Sequence, residues 1–371
     1  MAPARLDETY HRLCAHPATQ LTPALEHVVH AAGQDTAVLR QWVETVEQAA
    51  QDTADAPLLA WSTRLRDALA DDEPVLACLA ALLTHGPLGT AARSWAHTYR
   101  GHRLYRSERD EEALSEFDRA LAHDARNARA WARRGETHSW LGHHEQAVAD
   151  FTAALALEPA LAWAHAARGE AHRQADRYEQ AIADLTAALA LEPTYAWLLA
   201  DRGETHRQAG RYDQAVTDLT AALALEPTHT WALTERGQAH RQAGHYEKAR
   251  EDLERAVEAD PEDLSSRFEK LMLDTVEGGL EACAEQWSRL LASPVSPPDE
   301  VATRFLGLFR VLLLEPESGV AEATEQFLFA DPDHEEITDA LAYLAELAAL
   351  GGGVADRARQ CRRLIVERAS E

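Results

Sequence analysis

The segment RGETHRQAGRYDQAV, residues 202–216, places Arg202, Glu204, His206 and Arg207 within six positions. A carboxylate and an imidazole so close together can share general acid–base work, and guanidinium groups hold carboxylate or phosphate oxygens in pairs. The mixture is not confined to one place, as an active site would be. YRGHRL stands at 99, RRGETH at 133, ARGEAH at 167 and ERGQAH at 235. What recurs at a fixed interval has to be sorted by position before any chemistry is assigned to it.

The interval is 34 residues: Gly101, Gly135, Gly169, Gly203 and Gly237 repeat at that spacing. Ala113, Ala147, Ala181, Ala215 and Ala249 follow it, as do Ala120, Ala154, Ala188, Ala222 and Ala256, and the apolar column Phe117, Phe151, Leu185, Leu219 and Leu253. Pro159, Pro193, Pro227 and Pro261 close the later units, with Ala125 at that place in the first, and Tyr178, Tyr212 and Tyr246 align as well. In the fourth unit Leu199, Gly203 and His206 share one helical face. Tyr212, Ala215, Val216, Leu219, Ala222 and Leu223 share another, at helical spacing. Leu-Glu-Pro ends the second helix of the second, third and fourth units, because the residue before a proline leaves the α region.

These columns resemble the tetratricopeptide repeat family, over five units: 94–127, 128–161, 162–195, 196–229 and 230–263. The resemblance implies an all-α fold, a solenoid of helix-turn-helix pairs, with helical flanks at 1–93 and 264–371. A single pair cannot bury its apolar faces, so stability requires stacking.

Sorting the columns removes most of the apparent chemistry. Arg100, Arg134, Arg168, Arg202 and Arg236 are each followed sixteen residues later by an acid: Glu116, Asp150, Asp184, Asp218 and Asp252. We expect a repeated bridge between paired helices, which fixes geometry more than it adds stability. His138, His172, His206 and His240 occupy a position where the family often packs an aromatic ring, and they lie too far apart to share a zinc ion. EHVVH (residues 26–30) is not the HExxH order of a metalloprotease helix, so His27 and His30 are expected on a solvated face. No catalytic residue, metal site or cofactor is expected.

The informative face is the remaining side of the first helices, which in the family lines the concave groove where partners bind. In the third unit it presents Trp163, Ala166, Glu170, Arg173 and Gln174, in the fourth Trp197, Ala200, Glu204, Arg207 and Gln208, and in the fifth Trp231, Thr234, Gln238, Arg241 and Gln242. The first two units depart from this, with Trp95, Thr98, His102, Tyr105 and Arg106, then Arg129, Ala132, Glu136, Ser139 and Trp140. We therefore expect a partner-binding groove with a tryptophan ladder on one margin and an Arg/Gln ladder on the other, and acids between, since Trp and Arg dominate binding hot spots. The competing expectation packs the tryptophans at repeat seams and pairs each Glu with the Arg three residues on. Alanines at 132, 166 and 200 and glutamates at 136, 170 and 204 stand where a clamp for chaperone tails would need basic and amide groups.

Charge narrows the partner. Basic against acidic residues number 6 to 12 in 1–93, 20 to 30 in 94–263 and 10 to 20 in 264–371, so no segment offers the basic face that nucleic acid needs. With a net charge of −26, a neutral or partly basic protein or peptide fits the field. Four scattered cysteines (Cys14, Cys78, Cys283, Cys361) point to reduced thiols. The start of the sequence has no apolar signal region, and no apolar run reaches the ~18 residues of a membrane span, so a cytoplasmic protein is expected.

In the N-terminal flank, one helix is expected from Thr22–Pro23 to Gly33 and another from an Asp35 cap to about Gln51. Two more are expected over 56–70 and 73–85, before a break at Gly86–Pro87. The C-terminal flank reads as helices near 264–275, 279–292, 300–314, 318–330, 334–350 and 354–369. Between them lie a turn-rich linker at Ser293–Asp299 and a glycine hinge at 351–353. The last helix aligns Val354, Ala358, Cys361, Leu364 and Ile365 for docking. The expected function is a non-enzymatic interaction scaffold. The alternatives are a peptide-responsive regulator whose flanks change conformation and, more remotely, a helical enzyme.

Overall fold

Each connection inside a helix pair passes through a backbone conformation that glycine adopts without cost. Gly142, Gly210 and Gly244 have φ of +72°, +71° and +77° where a first helix gives way to its second, and Glu108 and Asp176 take the same left-handed position in the other two pairs, at +58° and +56°. A Cβ there costs about 1–2 kcal/mol, which Asp176 offsets in part by accepting a hydrogen bond from the Tyr178 hydroxyl at 2.9 Å.

A computed structural model describes residues 3–292, 300–313, 319–329, 332, 334–350 and 352–368. Among these residues there are only helices and their connections, and the chain divides into two compact units, 1–171 and 172–371. The first contains α1 (Pro3–Ala15), α2 (Pro17–Ala32), α3 (Thr36–Thr53), α4 (Ala56–Leu69), α5 (Pro74–His85), α6 (Thr90–Tyr105), α7 (Asp110–His123), α8 (Ala128–Trp140) and α9 (His144–Leu157). The division falls within α10 (Ala162–Gln174). The second unit holds α11 (Tyr178–Leu191), α12 (Ala196–Gln208), α13 (Tyr212–Leu225), α14 (Thr230–Gln242), α15 (Tyr246–Ala259), α16 (Leu264–Gly278), α17 (Leu280–Leu290), α18 (Glu300–Leu313), α19 (Val320–Phe329), α20 (His334–Ala349) and α21 (Gly352–Arg368).

In the first unit α1–α5 form a bundle with one core. Leu25, Val28 and Val29 of α2 meet Trp42 and Val46 of α3, Leu58 and Leu65 of α4, and Leu79 and Leu82 of α5, and the core continues into Ala92 and Ala96 of α6. Asp35 and Asp55 cap α3 and α4, accepting from the amides of Val38 at 2.7 Å and Leu58 at 3.1 Å. One expectation is corrected here: α2 starts at Pro17, not at Thr22–Pro23, and Pro23 lies inside it. Pro17 takes the first helical position, where a missing N–H costs nothing, and the helix continues past Pro23 because Leu25, Val28 and Val29 are held in the core. Beyond the bundle, α6 pairs with α7 and α8 with α9.

The second unit stacks α12–α13 and α14–α15 as pairs. An alanine or glycine at each crossing lets the backbones approach: a Cβ built on Gly203 would stand 2.7 Å from Leu219 Cγ. The pairing does not stop at residue 263. Helix α16 packs on α14 and α15 and then pairs with α17, where Cys283 and Trp287 stand one period after Ala249 and Leu253. Trp287 is buried and its indole N–H donates to Thr275 Oγ1 at 2.8 Å. A larger residue stands at each of these places, which hid the pair from a column-by-column reading.

Helices α16–α21 share a second core around Phe268, whose ring meets Trp287, Phe309 and Tyr343 edge-on at 5.0–5.3 Å. The last helix docks within this unit through Ala358, Cys361 and Ile365. The expected linker at Ser293–Asp299 lies outside the described residues, as does Gly351 of the expected hinge; Gly352 and Gly353 begin α21.

Gly203→Val, which drives a side chain into Leu219, is expected to lower the free energy of unfolding by about 1–3 kcal/mol, and Gly210→Ala by about 1–2 kcal/mol. Urea denaturation curves that coincide with wild type would contradict both.

Candidate partner-binding face

The sixteen-residue bridges form, and they do more than join one pair. Arg134, Arg202 and Arg236 each hold their own acid through two hydrogen bonds of 2.6–2.7 Å, to Asp150, Asp218 and Asp252. A further nitrogen of each guanidinium reaches back sixteen residues, to Asp118 Oδ1 (2.6 Å), Thr186 Oγ1 (3.1 Å) and Thr220 Oγ1 (3.0 Å). Each arginine therefore ties a first helix to the second helices on both sides of it. In the first pair Glu116 is the hub, accepting from Arg100 (3.2 Å), Arg119 (2.5 Å) and His97 Nδ1 (2.7 Å).

The histidine column packs inward beside these bridges. His138, His172 and His206 approach Asp150, Asp184 and Asp218 at 4.0, 3.9 and 3.8 Å. Burial pushes the imidazoles of His138, His206 and His240 below their ordinary pKa, against the pull of the neighbouring aspartates. His27 and His30 are exposed, as expected, and also lean on rings, Trp42 at 4.9 Å and Trp95 at 5.9 Å. Among the described residues no three His, Cys, Asp or Glu side chains converge on a position for a metal ion. All four cysteines are free, and burial raises the Cys78 and Cys361 thiols to about 12 and 11, away from reactive thiolate.

The outward arginine ladder is a correction. Arg173, Arg207 and Arg241 are buried, Arg207 being 4% exposed. Arg173 donates to Glu204 at 3.2 Å, Arg207 to Glu235 at 2.7 Å and Arg241 to Glu269 at 2.9 Å, so an acid of the next first helix meets each of them. Long side chains projecting from one first helix meet acids on its neighbour, and pairing in a dry seam offsets part of the cost of removing both from water. Glu204 is buried with them, while Gln174, Gln208, Gln242 and Glu170 are half-buried. Gln208 Nε2 donates to Glu204 at 3.4 Å.

Arg241 carries a further contact from far along the chain. It also donates to Glu346 of α20, while the Tyr343 hydroxyl donates to Glu269 and the Tyr343 ring lies 5.6 Å from the guanidinium. Nothing in the repeat columns identifies Tyr343 or Glu346. Glu269 does stand 34 residues after Glu235, and that spacing was the available signal.

Aromatic residues keep the exposure that the arginines lose. Trp197 is 45% exposed, with Tyr195 packed edge-on beside it at 6.3 Å, and Trp231 is half-buried with His229 at 5.9 Å. In the compact unit 1–171 Trp163 is half-buried beneath the Arg133 guanidinium, 4.7 Å from its ring, and Arg133 also pairs with Glu136 at 2.6 Å. Trp140 is 70% exposed and Tyr105 half-buried. His102 is held at about 4 by burial first, and then by Arg133, Arg103 and Arg106.

Comparison with known proteins agrees with this architecture. Two tetratricopeptide-repeat profiles match the sequence, one over 128–161 and the other over 172–217 and 206–272. The chain carries tetratricopeptide repeats. The second match ends inside α16, beyond the last unit read from the columns. Among solved structures, PilW, a type IV pilus biogenesis factor, is 22% identical with a TM-score of 0.50, over 54% of this chain and 93% of that one. YrrB, described as a TPR protein with an unusual peptide-binding site, is 21% identical with a TM-score of 0.42, over 46% of this chain and 88% of that one. TTC0263, a thermophilic TPR protein of Thermus thermophilus, is 26% identical with a TM-score of 0.39, over 48% and 98%. A search of curated proteins found no match.

Two outcomes follow for the tetratricopeptide seam. Glu235→Ala, which takes an acid from the buried Arg207, is expected to cost about 3–5 kcal/mol, while the paired Arg207→Met/Glu235→Leu chain stays near wild type in urea unfolding. Equal losses in the single and double variants would show that the ion pair is not the source. For pH, His102, His138, His206 and His240 have folded-state pKa values below their ordinary 6.5, so the unfolded chain binds protons first. Their stability is therefore present above about pH 6.5 and is lost as pH falls toward about 4. The urea midpoint is expected to drop between pH 7.5 and 5, and a flat profile would refute the burial of neutral imidazoles.

Proposed function

We propose that the protein is a non-enzymatic interaction scaffold whose repeat helices hold a peptide or protein segment. The observation that carries this reading is the exposure of Trp197 and Tyr195 on a repeat face whose charged groups are already paired. A soluble chain gains nothing by wetting such rings, and aromatic side chains are enriched where partners dock. The partner-facing set is Trp197, Trp231 and Gln208 in the second unit and Trp163, Tyr105 and Trp140 in the first. The buried arginines serve it as a rigid backing. The net charge of −26 favours a neutral or partly basic partner over nucleic acid. The free thiols suit a reducing, cytoplasmic location, and among the described residues no helix is long and apolar enough to cross a membrane.

One contact favours a second reading, a regulator whose flank responds to the bound segment. Glu346 joins α20 to the repeat helix α14 through Arg241, and burial raises its carboxyl above the usual range. Such a contact can communicate a shift of the repeat helices to α20.

The test is affinity capture with the full chain, followed by mass-spectrometric identification of what is retained. Trp197→Ala/Trp231→Ala is expected to lose the retained protein while keeping wild-type helicity by circular dichroism. Undiminished retention by the folded double variant would remove these faces from the binding site.

A further inference from the structure

The tryptophan column shows two states within one molecule. In the first unit the Trp163 ring is covered by a cation of the chain itself, Arg133, at 4.7 Å. Residues 167 and 201 stand where Arg133 stands, 30 residues before Trp197 and Trp231, and they are Ala167 and Asp201. No cation of the chain is recorded over either of these two rings among the described residues. Trp197 is 45% exposed and Trp231 half-buried.

The segments that lead into these two tryptophans carry exposed acidic and apolar residues. Glu192 and Glu226 lie five residues before the two tryptophans, at the ends of α11 and α13, and both are exposed. Neither carboxylate has an ion-pair partner among the described residues, whereas the deeper acids of the face do. Leu191 and Leu225 precede them and are exposed as well, and Tyr195 walls one side of Trp197. One basic group borders the second rung: Arg255 donates to the Pro227 carbonyl at 3.2 Å. The first rung, Leu191–Trp197, has no such neighbour recorded among the described residues.

We propose that Trp197 and Trp231 each receive a guanidinium or ammonium group from a basic segment of a partner protein, as Arg133 serves Trp163. Glu192 and Glu226 pair with the segment's charges, and Leu191 and Leu225 take apolar residues beside them. This rests on the scaffold reading and adds the chemistry of the occupant: a segment in which Arg or Lys alternates with apolar residues. A cation over an indole face is favoured electrostatically, and an unpaired carboxylate nearby adds to it without a desolvated partner to displace.

The test uses the full chain and two fluorescein-labelled synthetic peptides of equal length, one alternating Arg and Leu, the other Gln and Leu, in 150 mM salt with anisotropy as readout. The Arg–Leu peptide is expected to bind more tightly than the Gln–Leu peptide. Each of Trp197→Leu and Trp231→Leu should weaken it about 2–5-fold, and the pair about 5–30-fold. Glu192→Gln/Glu226→Gln should weaken it and flatten its salt dependence. Equal affinity for the two peptides, or unchanged Arg–Leu binding by the tryptophan double variant, overturns the cation site. Equal affinities that both fall in the tryptophan variant overturn this inference alone and leave the scaffold intact. If captured proteins are also retained undiminished by Trp197→Ala/Trp231→Ala, the scaffold assignment of these faces fails with it.

Discussion

The guanidinium that precedes each repeat glycine is the contact on which the stacked pairs depend. Arg202 holds Asp218 in its own pair and Thr186 in the pair before, so one planar fork sets the angle within a pair and the register between pairs. A bidentate guanidinium–carboxylate contact tolerates little rotation, unlike the alanine and leucine contacts around it. The glycine beside it lets the second helix come close enough for the fork to close, and the small columns at 215 and 222 keep that distance. The histidine four residues on fills the space left beside the same carboxylate.

A second layer of charge follows from the first. Once the pairs are in register, the arginine at the end of one first helix meets an acid on the next, and Arg173, Arg207 and Arg241 leave the surface. The arginines of the seam are held in buried ion pairs. What stays exposed on that side is aromatic, Trp197 and Tyr195 above all, with acids at the helix ends. Residues that look in sequence like anion binders are thus held in buried ion pairs.

The helices were legible where the period is strict. The ends of α9, α11 and α13 follow from Leu-Glu-Pro, the cap of α3 from Asp35, and the bridges from a constant offset of sixteen. Legibility failed where packing overrides local preference. Pro23 sits inside α2 because the apolar residues after it are core residues, and the loss of one backbone hydrogen bond costs less than exposing them. The pair α16–α17 was missed because Cys283 and Trp287 fill volume that alanine and leucine fill elsewhere. Tyr343 and Glu346 were invisible because their contacts span 74 and 105 residues, and no periodicity connects such distances.

The sequence by itself determined the 34-residue period of the helix pairs over 94–263 and the inward role of the arginine at 202 and the histidine at 206. All of these are contacts within one period, and the same residue types recur at the same offset. Only the tertiary structure decided which side of a first helix is wet. That depends on partners 28 and 31 residues away on a neighbouring helix, and on α20 at the last rung. A long arginine side chain can reach solvent or a seam with equal ease from the same Cα. The acid that meets it settles the matter, and helical periodicity, which fixes Cα directions, carries no information about where that acid stands.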